Sequence, residues 1–220
     1  MKLKKNSKFV VAADGAEASG KTTGSRIISR KYGLKFLSSG LLYRYAAQQL
    51  LKYNPKNKIK FLKLKFKNLN YKKINKINLH SPKISEYTSI IAKQKKIRNV
   101  LKKFQQDFAS KHKRVCIEGR DIGTVILPKA DLKFFFICNL KIAAKRRFKE
   151  LKKKNKFLKF KNVKKELQNR NLRDVSRKNS PLLKSPDAVI VDTGKTRNIT
   201  MMINKMSKHM DRKILEKYGD

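Results

Sequence analysis

The apolar positions of this chain change their period along its length, and each change marks an element. Phe9-Val-Val-Ala-Ala13 is a short continuous apolar run, which reads as a strand buried on both faces. Thr22 to Tyr32 reads as helix, Lys35-Phe-Leu37 as a short strand, and Gly40 to Leu51 as an amphipathic helix. From Lys52 to Asn78 the composition shifts to Lys, Asn, Ile, Phe and Leu, and the alternation in Ile59-Lys-Phe-Leu-Lys-Leu-Lys-Phe66 predicts a strand or hairpin in a small inserted lobe. Ser81-Pro82 supplies an N-cap and first helical position for a helix of roughly a dozen residues that carries Ser89. Ile97, Val100, Leu101, Phe104 and Phe108 repeat at helical spacing between Lys95 and Ser110. Arg114–Glu118 and Leu132–Cys138 are buried strands, the second apolar apart from Lys133. A helix over Lys141–Lys154, an irregular basic loop over Asn155–Lys161 and a helix over Asn162–Asp174 follow. Ala188–Asp192 is the last strand, and Asn198 caps a closing helix to about Tyr218.

Strands alternating with helices imply an α/β fold: a doubly wound parallel sheet with helices on both faces. Ligands of such sheets sit beyond the carboxyl ends of the strands. The segments Gly15–Thr22, Ser38–Gly40 and Gly119–Asp121 are expected to emerge there and to converge on one cleft. The first of them has a chemistry of its own. Gly15-Ala16-Glu17-Ala18-Ser19-Gly20-Lys21-Thr22 fits G-x-x-x-x-G-K-[ST] between a strand and a helix, and Thr23 continues into that helix. Inward-pointing backbone N–H groups and the helix dipole suit such a loop to a polyphosphate. Lys21 then reaches the terminal phosphates, and the Thr22 hydroxyl holds Mg²⁺, partly through water.

The length of 220 residues suits one domain with a proper core. The balance of 58 Lys+Arg against 15 Asp+Glu gives a formal charge of +43, a field that attracts polyanions. The lysines are spread along the chain with Asn, Ile and Phe, as in proteins from AT-rich genomes, and no aromatic-interleaved module accompanies them. The charge therefore predicts nonspecific polyanion binding and no specific nucleic-acid partner. Cys116 and Cys138 lie in apolar runs and form no disulfide framework, which fits a reducing, cytoplasmic setting. The apolar run after the basic start breaks at Asp14, too soon for a signal peptide, and no stretch approaches the length of a membrane span.

Arginine is scarce beside lysine, so its positions carry information. Arg170, Arg173 and Arg177 fall at i, i+3 and i+7, Arg120 ends a strand, and Arg44 lies on the helix after the second strand. Guanidinium groups stay charged and offer planar, bidentate donors to phosphate; the plain alternative is surface pairing, as of Arg170 with Asp174 at i, i+4. With these positions in hand, the chain resembles the bacterial cytidylate kinases, a branch of the nucleoside monophosphate kinases. The resemblance runs from Phe9 to about Ile199. It rests on the phosphate loop, on Ser38-Ser39-Gly40-Leu-Leu-Tyr43-Arg44, and on Ile117-Glu-Gly-Arg-Asp-Ile-Gly-Thr-Val125 with Pro128 and Ala130-Asp131. It extends through Arg173-Asp174-x-x-Arg177, Pro181-Leu182 and Asp187-Ala188…Asp192-Thr193.

The resemblance implies one kinase domain over residues 1–220, with an inserted nucleoside-monophosphate-binding lobe at about 52–111 and a lid at about 152–170. It implies transfer of the γ-phosphoryl of Mg-ATP to CMP or dCMP in pyrimidine nucleotide metabolism, by a cytoplasmic monomer. By position it assigns Ser39, Arg98, Asp121 and Arg177 to the cytosine; Ser89, Arg170 and Asp174 to the pentose; and Arg44 and Arg120 to the acceptor phosphate. Lys21, Arg44, Arg120, Arg170 and Arg177 form the implied catalytic set. A carboxylate beside an arginine or hydroxyl reads the amino group and acceptor pair of cytosine, which uracil reverses. The sequence departs from the family where Ser38 stands for the usual Asp and where Ala16, Glu17 and Ala18 replace a Pro-small-Gly stretch; Glu17 puts a negative charge close to phosphates. Two alternatives are another P-loop kinase, acting on a different nucleotide or on shikimate, and a highly basic RNA-binding protein on a degenerate nucleotide-binding fold. Arg98, Asp121 and the Glu-Gly-Arg-Asp run weigh against the first, and the retained arginines against the second.

Overall fold

The computed structural model describes residues 3, 6–74, 77–153, 156–196 and 198–219. In chain order the elements are β1 (Phe9–Gly15), α1 (Lys21–Lys31), β2 (Lys35–Ser38), α2 (Ser39–Tyr53), α3 (Lys58–Lys67), α4 (Tyr71–Ile74), α5 (Pro82–Ile91) and α6 (Lys95–Lys111). They continue with β3 (Arg114–Gly119), a π-helical turn over Ile122–Ile126, β4 (Leu132–Ile137), α7 (Leu140–Lys152), α8 (Phe160–Ser176), β5 (Val189–Asp192) and α9 (Ile199–Tyr218). Among the described residues the sheet is five-stranded in the order β2-β3-β1-β4-β5, and β1 pairs in parallel with β3 and β4, as β4 does with β5. This is an α/β fold, a parallel sheet flanked by helices. The chain divides into two compact units, Met1–Phe36 with Lys113–Asp220, and Leu37–His112.

In the first unit the apolar runs are buried as parallel strands require. Phe9, Val11, Ala13, Phe134, Phe136 and Val191 pack with Ile28 of α1 and with Met202, Ile203, Met206, Met210 and Ile214 of α9. Ala12, Val115 and Ile117, which alternate with that set, are buried as well. Lys133, the one polar residue of β4, is satisfied by its ammonium donating to Ser185 at 3.2 Å and pairing with Asp187 at 3.0 Å. Helix α9 begins where the sequence places its cap, Asn198 accepting from the Met201 N–H at 2.8 Å. The register sets Asp14 opposite Gly119 and Gly15 opposite Phe136, so the segments leaving β1 and β3 emerge side by side at the carboxyl edge. Two of the three segments expected there lie in this unit; Ser38–Gly40 lies in the other.

Among its described residues the insert of the second unit carries helices and no strand, which corrects the strand or hairpin expected at Ile59–Phe66. Asn57 caps α3 by accepting from the Lys60 N–H at 3.0 Å, and Leu62 and Phe66, at i and i+4, are the buried pair. Phe66 meets Tyr45 and Phe104 edge-on. An alternating reading would bury Leu64 beside them, but it is 63% exposed. Lysines fill nearly every other position of this segment, so period-two alternation and a narrow helical stripe look alike over eight letters, and packing decides. Helix α2 packs on α5, and α3 on α6. Residues 75–76 of this insert, and residues 154–155 of the basic loop and of the expected lid, lie outside the described residues.

The helical assignment makes a direct prediction. Leu62→Ala should cost about 2–4 kcal/mol of unfolding free energy by urea titration, whereas Leu64→Lys should change it by less than about 0.5 kcal/mol. Equal losses at the two positions would point back to a strand.

Candidate functional site

The loop between β1 and α1 is fixed from several sides. Gly15 has φ +152°, and a side-chain carbon there would lie 2.5 Å from the Phe136 carbonyl oxygen, so only glycine lets the loop leave the sheet this way. Gly20, at φ +82°, sets up the start of α1 without a side-chain cap. The Ser19 hydroxyl donates to the Ala16 carbonyl at 2.8 Å, and the Thr193 hydroxyl donates to the Ser19 carbonyl at 2.9 Å. Arg146 of α7 in turn donates to both oxygens of Thr193, at 2.9 and 2.8 Å. Ala18 adopts φ +56°, a left-handed conformation that costs a non-glycine residue about 1 kcal/mol. Its methyl packs against Ala143, Ala144 and Leu167, so the α7–α8 pair holds the strained residue in place.

Around this loop the first unit gathers buried charge. Lys21 is 7% exposed and pairs with Glu118 at 3.2 Å. Burial, helped by the Arg120 charge, holds the Lys21 ammonium below its ordinary pKa, against the pull of Glu118. Arg120 donates to Asp174 at 2.8 Å, and Arg177 pairs with the other oxygen of the same carboxylate at 3.5 Å. Burial disfavours the ionised forms of both Arg120 and Asp174, but mutual attraction wins: the arginine is held above its usual range and the carboxyl below. Arg170 pairs with Glu17 of the loop at 2.5 Å, and Arg147 of α7 lies 3.8 Å from the same carboxylate. Burial pushes Arg170 down, opposed by Glu17. Arg170 therefore pairs with the loop rather than with Asp174 along its own helix. Arg173 is exposed and donates to the Asn169 carbonyl at 3.3 Å.

Asp14 is the next-to-last residue of β1, just ahead of the loop. Its carboxylate accepts the Ile122 and Gly123 N–H groups at 2.8 and 2.7 Å. It thereby fixes the turn that follows Arg120 and Asp121. Burial pushes the Asp14 carboxyl up from 3.8 to about 6, despite those two donors, and the neighbouring Asp121 adds to the rise.

The second unit carries the remaining predicted residues. Ser39, Arg44 and Arg98 are buried, and Ser89 is half-buried. The Arg44 guanidinium donates to the Leu79 carbonyl at 3.1 Å and to the Ser85 hydroxyl at 2.7 Å, and the Ser89 hydroxyl donates to the Ser85 carbonyl at 3.4 Å. Arg98 donates to the Ala92 carbonyl at 3.1 Å and stacks over Tyr43 at 5.5 Å. Ser38, in the place of an acid, caps α2 by accepting from the Leu41 N–H at 3.4 Å, while its own N–H donates to the Tyr71 hydroxyl at 2.7 Å.

Sequence reasoning passed over Arg146 and Arg147, and it met Asp14 and Thr193 only as parts of matched segments, without a role. The scarcity of arginine that singled out Arg170 applies equally to Arg146–Arg147 on α7 and was the available signal. Nothing in the local sequence gives the contacts of Asp14 or Thr193, whose partners are 108 and 174 residues away.

A glycine-bounded loop at the carboxyl end of the central strand, a lysine at the start of the following helix and a surrounding ring of arginines define a P-loop kinase. Residues 11–212 match the family model for cytidylate kinase. A cytidylate kinase from Bartonella tribocorum is 38% identical over 190 residues, 84% of this chain and 86% of that protein. One from Clostridium tetani is 33% identical over 224 residues, 96% of this chain and 98% of that protein. The chain belongs to the cytidylate kinase family and is a phosphotransferase. Among solved structures, an uncharacterized protein from Eubacterium ventriosum superposes with a TM-score of 0.55 at 15% identity, covering 93% of this chain and 99% of that one, a likeness of fold alone.

Asp14 gives the site a pH signature. The folded protein keeps the Asp14 proton to about pH 6 and the unfolded chain loses it near 3.8, so stability falls as pH rises through that window. The share from this group is about 2–3 kcal/mol. Urea titrations between pH 4 and 6.5 should show the slope flattened in Asp14→Asn; an unchanged slope would contradict the assignment.

Proposed function

We propose that this chain transfers the γ-phosphoryl group of Mg-ATP to the 5′-phosphate of CMP or dCMP, forming ADP and CDP or dCDP. The observation that carries the reading is the gathering of Lys21, Arg120, Arg170 and Arg177 on carboxylates beside the phosphate loop, in a member of a family named for cytidylate. The acceptor is already an anionic phosphate oxygen and needs no strong general base. The work of the protein is positioning and charge neutralisation. Residues Gly15 to Thr23 hold the donor phosphates, with Lys21 at the terminal ones. Arg44 and Arg120 bind the acceptor phosphate; Ser89, Arg170 and Asp174 lie at the pentose, where Arg170 also reaches the phosphoryl group in transfer; and Ser39, Arg98, Asp121 and Arg177 read the cytosine. In the cytosine group a carboxylate and a hydroxyl, Asp121 and Ser39, stand with Arg98 and Arg177, the pairing that distinguishes cytosine from uracil.

The residues fit a magnesium ion held mainly by its nucleotide. Among the described residues no group of three or more His, Cys, Asp or Glu could hold a metal, and the Thr22 side chain is exposed on the first turn of α1. One hydroxyl, with water and phosphate oxygens completing the shell, suits Mg²⁺, which keeps several waters in such sites. Thr22 would hold the ion, which neutralises charge on the terminal phosphates when bound. A cytoplasmic, monomeric enzyme is the form of the proposal that the family resemblance supports. Among the described residues no helix is long and apolar enough to cross a membrane.

An ADP-release assay with CMP, dCMP, UMP and AMP tests the proposal. CMP or dCMP should exceed UMP and AMP by about 100-fold or more in kcat/KM, and Lys21→Ala should lose about 100-fold or more of that turnover. Absence of turnover with every acceptor, beside tight and salt-sensitive RNA binding, would overturn it.

A further inference from the structure

Acidic residues are few in this chain, 15 against 58 basic ones, yet one of them stands inside the phosphate loop. Glu17 is not turned out to solvent. Its side chain is 16% exposed, one oxygen accepts from Arg170 of α8 at 2.5 Å, and the other lies 3.8 Å from Arg147 of α7. Both arginines belong to a cluster in which Arg120, Arg147, Arg170 and Arg177 face the carboxylates of Glu17 and Asp174. Ala18, the next residue, is held at φ +56° against the same two helices, so the loop presents Glu17 to the arginines in a fixed way. A carboxylate offers a guanidinium the same planar pair of acceptor oxygens as a phosphate does. Removing such an anion from a half-buried arginine, with nothing to replace it, is unfavourable. A cation cluster built to receive a polyphosphate therefore needs a counter-ion while no nucleotide is bound.

We propose that Glu17 is an internal surrogate for the donor's terminal phosphate: it holds Arg170 and Arg147 until ATP displaces it. The proposal rests on the binding of ATP at this loop. It makes Glu17 a positioning residue, acting through the arginines, and it sets a threshold: only a ligand that brings its own terminal phosphate can take them over.

The test compares Mg-ATP and Mg-ADP binding by titration calorimetry in the full chain and in Glu17→Gln, which keeps the shape and removes the charge. ATP should bind about tenfold more tightly in the variant, and ADP should gain less than about threefold, because it lacks the phosphate in competition. In turnover with CMP, KM for ATP should fall while kcat does not rise. A merely structural ion pair predicts the reverse, a loosened loop that binds both nucleotides more weakly. Unchanged or weaker ATP binding in the folded variant, or an equal gain for ATP and ADP, overturns the proposal. If Glu17→Gln does not fold, Glu17→Asp shortens the arm and should show a smaller gain for ATP over ADP; no difference between the two nucleotides counts against it in the same way. Failure of CMP turnover in the wild-type chain, with the ATP-over-ADP gain intact, would instead overturn the assignment of the acceptor.

Discussion

A buried cation has to be matched by an anion, and this requirement organises the carboxyl edge of the sheet. Lys21 is paired with Glu118, Arg120 and Arg177 with Asp174, and Arg170 with Glu17, from the phosphate loop and start of α1, the end of β3, and α8 with the residue that follows it. Such pairs contribute little net stability, since desolvation offsets attraction, but breaking one without a replacement is costly. They are best understood as a charge arrangement prepared for exchange. A polyphosphate offers those cations the same kind of partner at a higher charge, and the carboxylates keep the site folded in its absence.

The fold was largely legible in the sequence because the strands of a parallel sheet are apolar on both faces and stand out as continuous runs. Phe9–Ala13, Arg114–Glu118, Leu132–Cys138 and Ala188–Asp192 each became a strand to within a residue or two, and the caps at Ser81 and Asn198 fell where hydroxyl and amide side chains predicted them. The insert around Ile59–Phe66 was not legible. Lysine at nearly every second position imitates a strand, and only the burial of Leu62 and Phe66 with exposure of Leu64 shows the helix.

The site was legible in its residue types and less so in its connections. Arginine scarcity drew attention to Arg120, Arg170 and Arg177, but the i, i+4 spacing of Arg170 and Asp174 suggested a pair that is not the principal one. Arg170 reaches across to the loop, and Asp174 is taken by Arg120 and Arg177. The same logic applied to acids would have gone further. Of 15 Asp and Glu in the chain, Asp14, Glu17, Glu118, Asp121 and Asp174 stand at or beside this edge, and all but Glu17 and Asp174 are fully buried. In a chain drifted so far toward lysine, an acidic residue at a turn is more informative than a basic one. Most of the lysines behind the net charge of +43 are spread along the rest of the chain.

The most direct measurement is a crystal structure of the protein with CMP and a non-hydrolysable ATP analogue bound. The account predicts that Lys21 has left Glu118 and Arg170 has left Glu17, both for phosphate oxygens of the donor, with Asp121 and an arginine on the cytosine. Persistence of the Lys21–Glu118 and Arg170–Glu17 pairs with both nucleotides in place would contradict it.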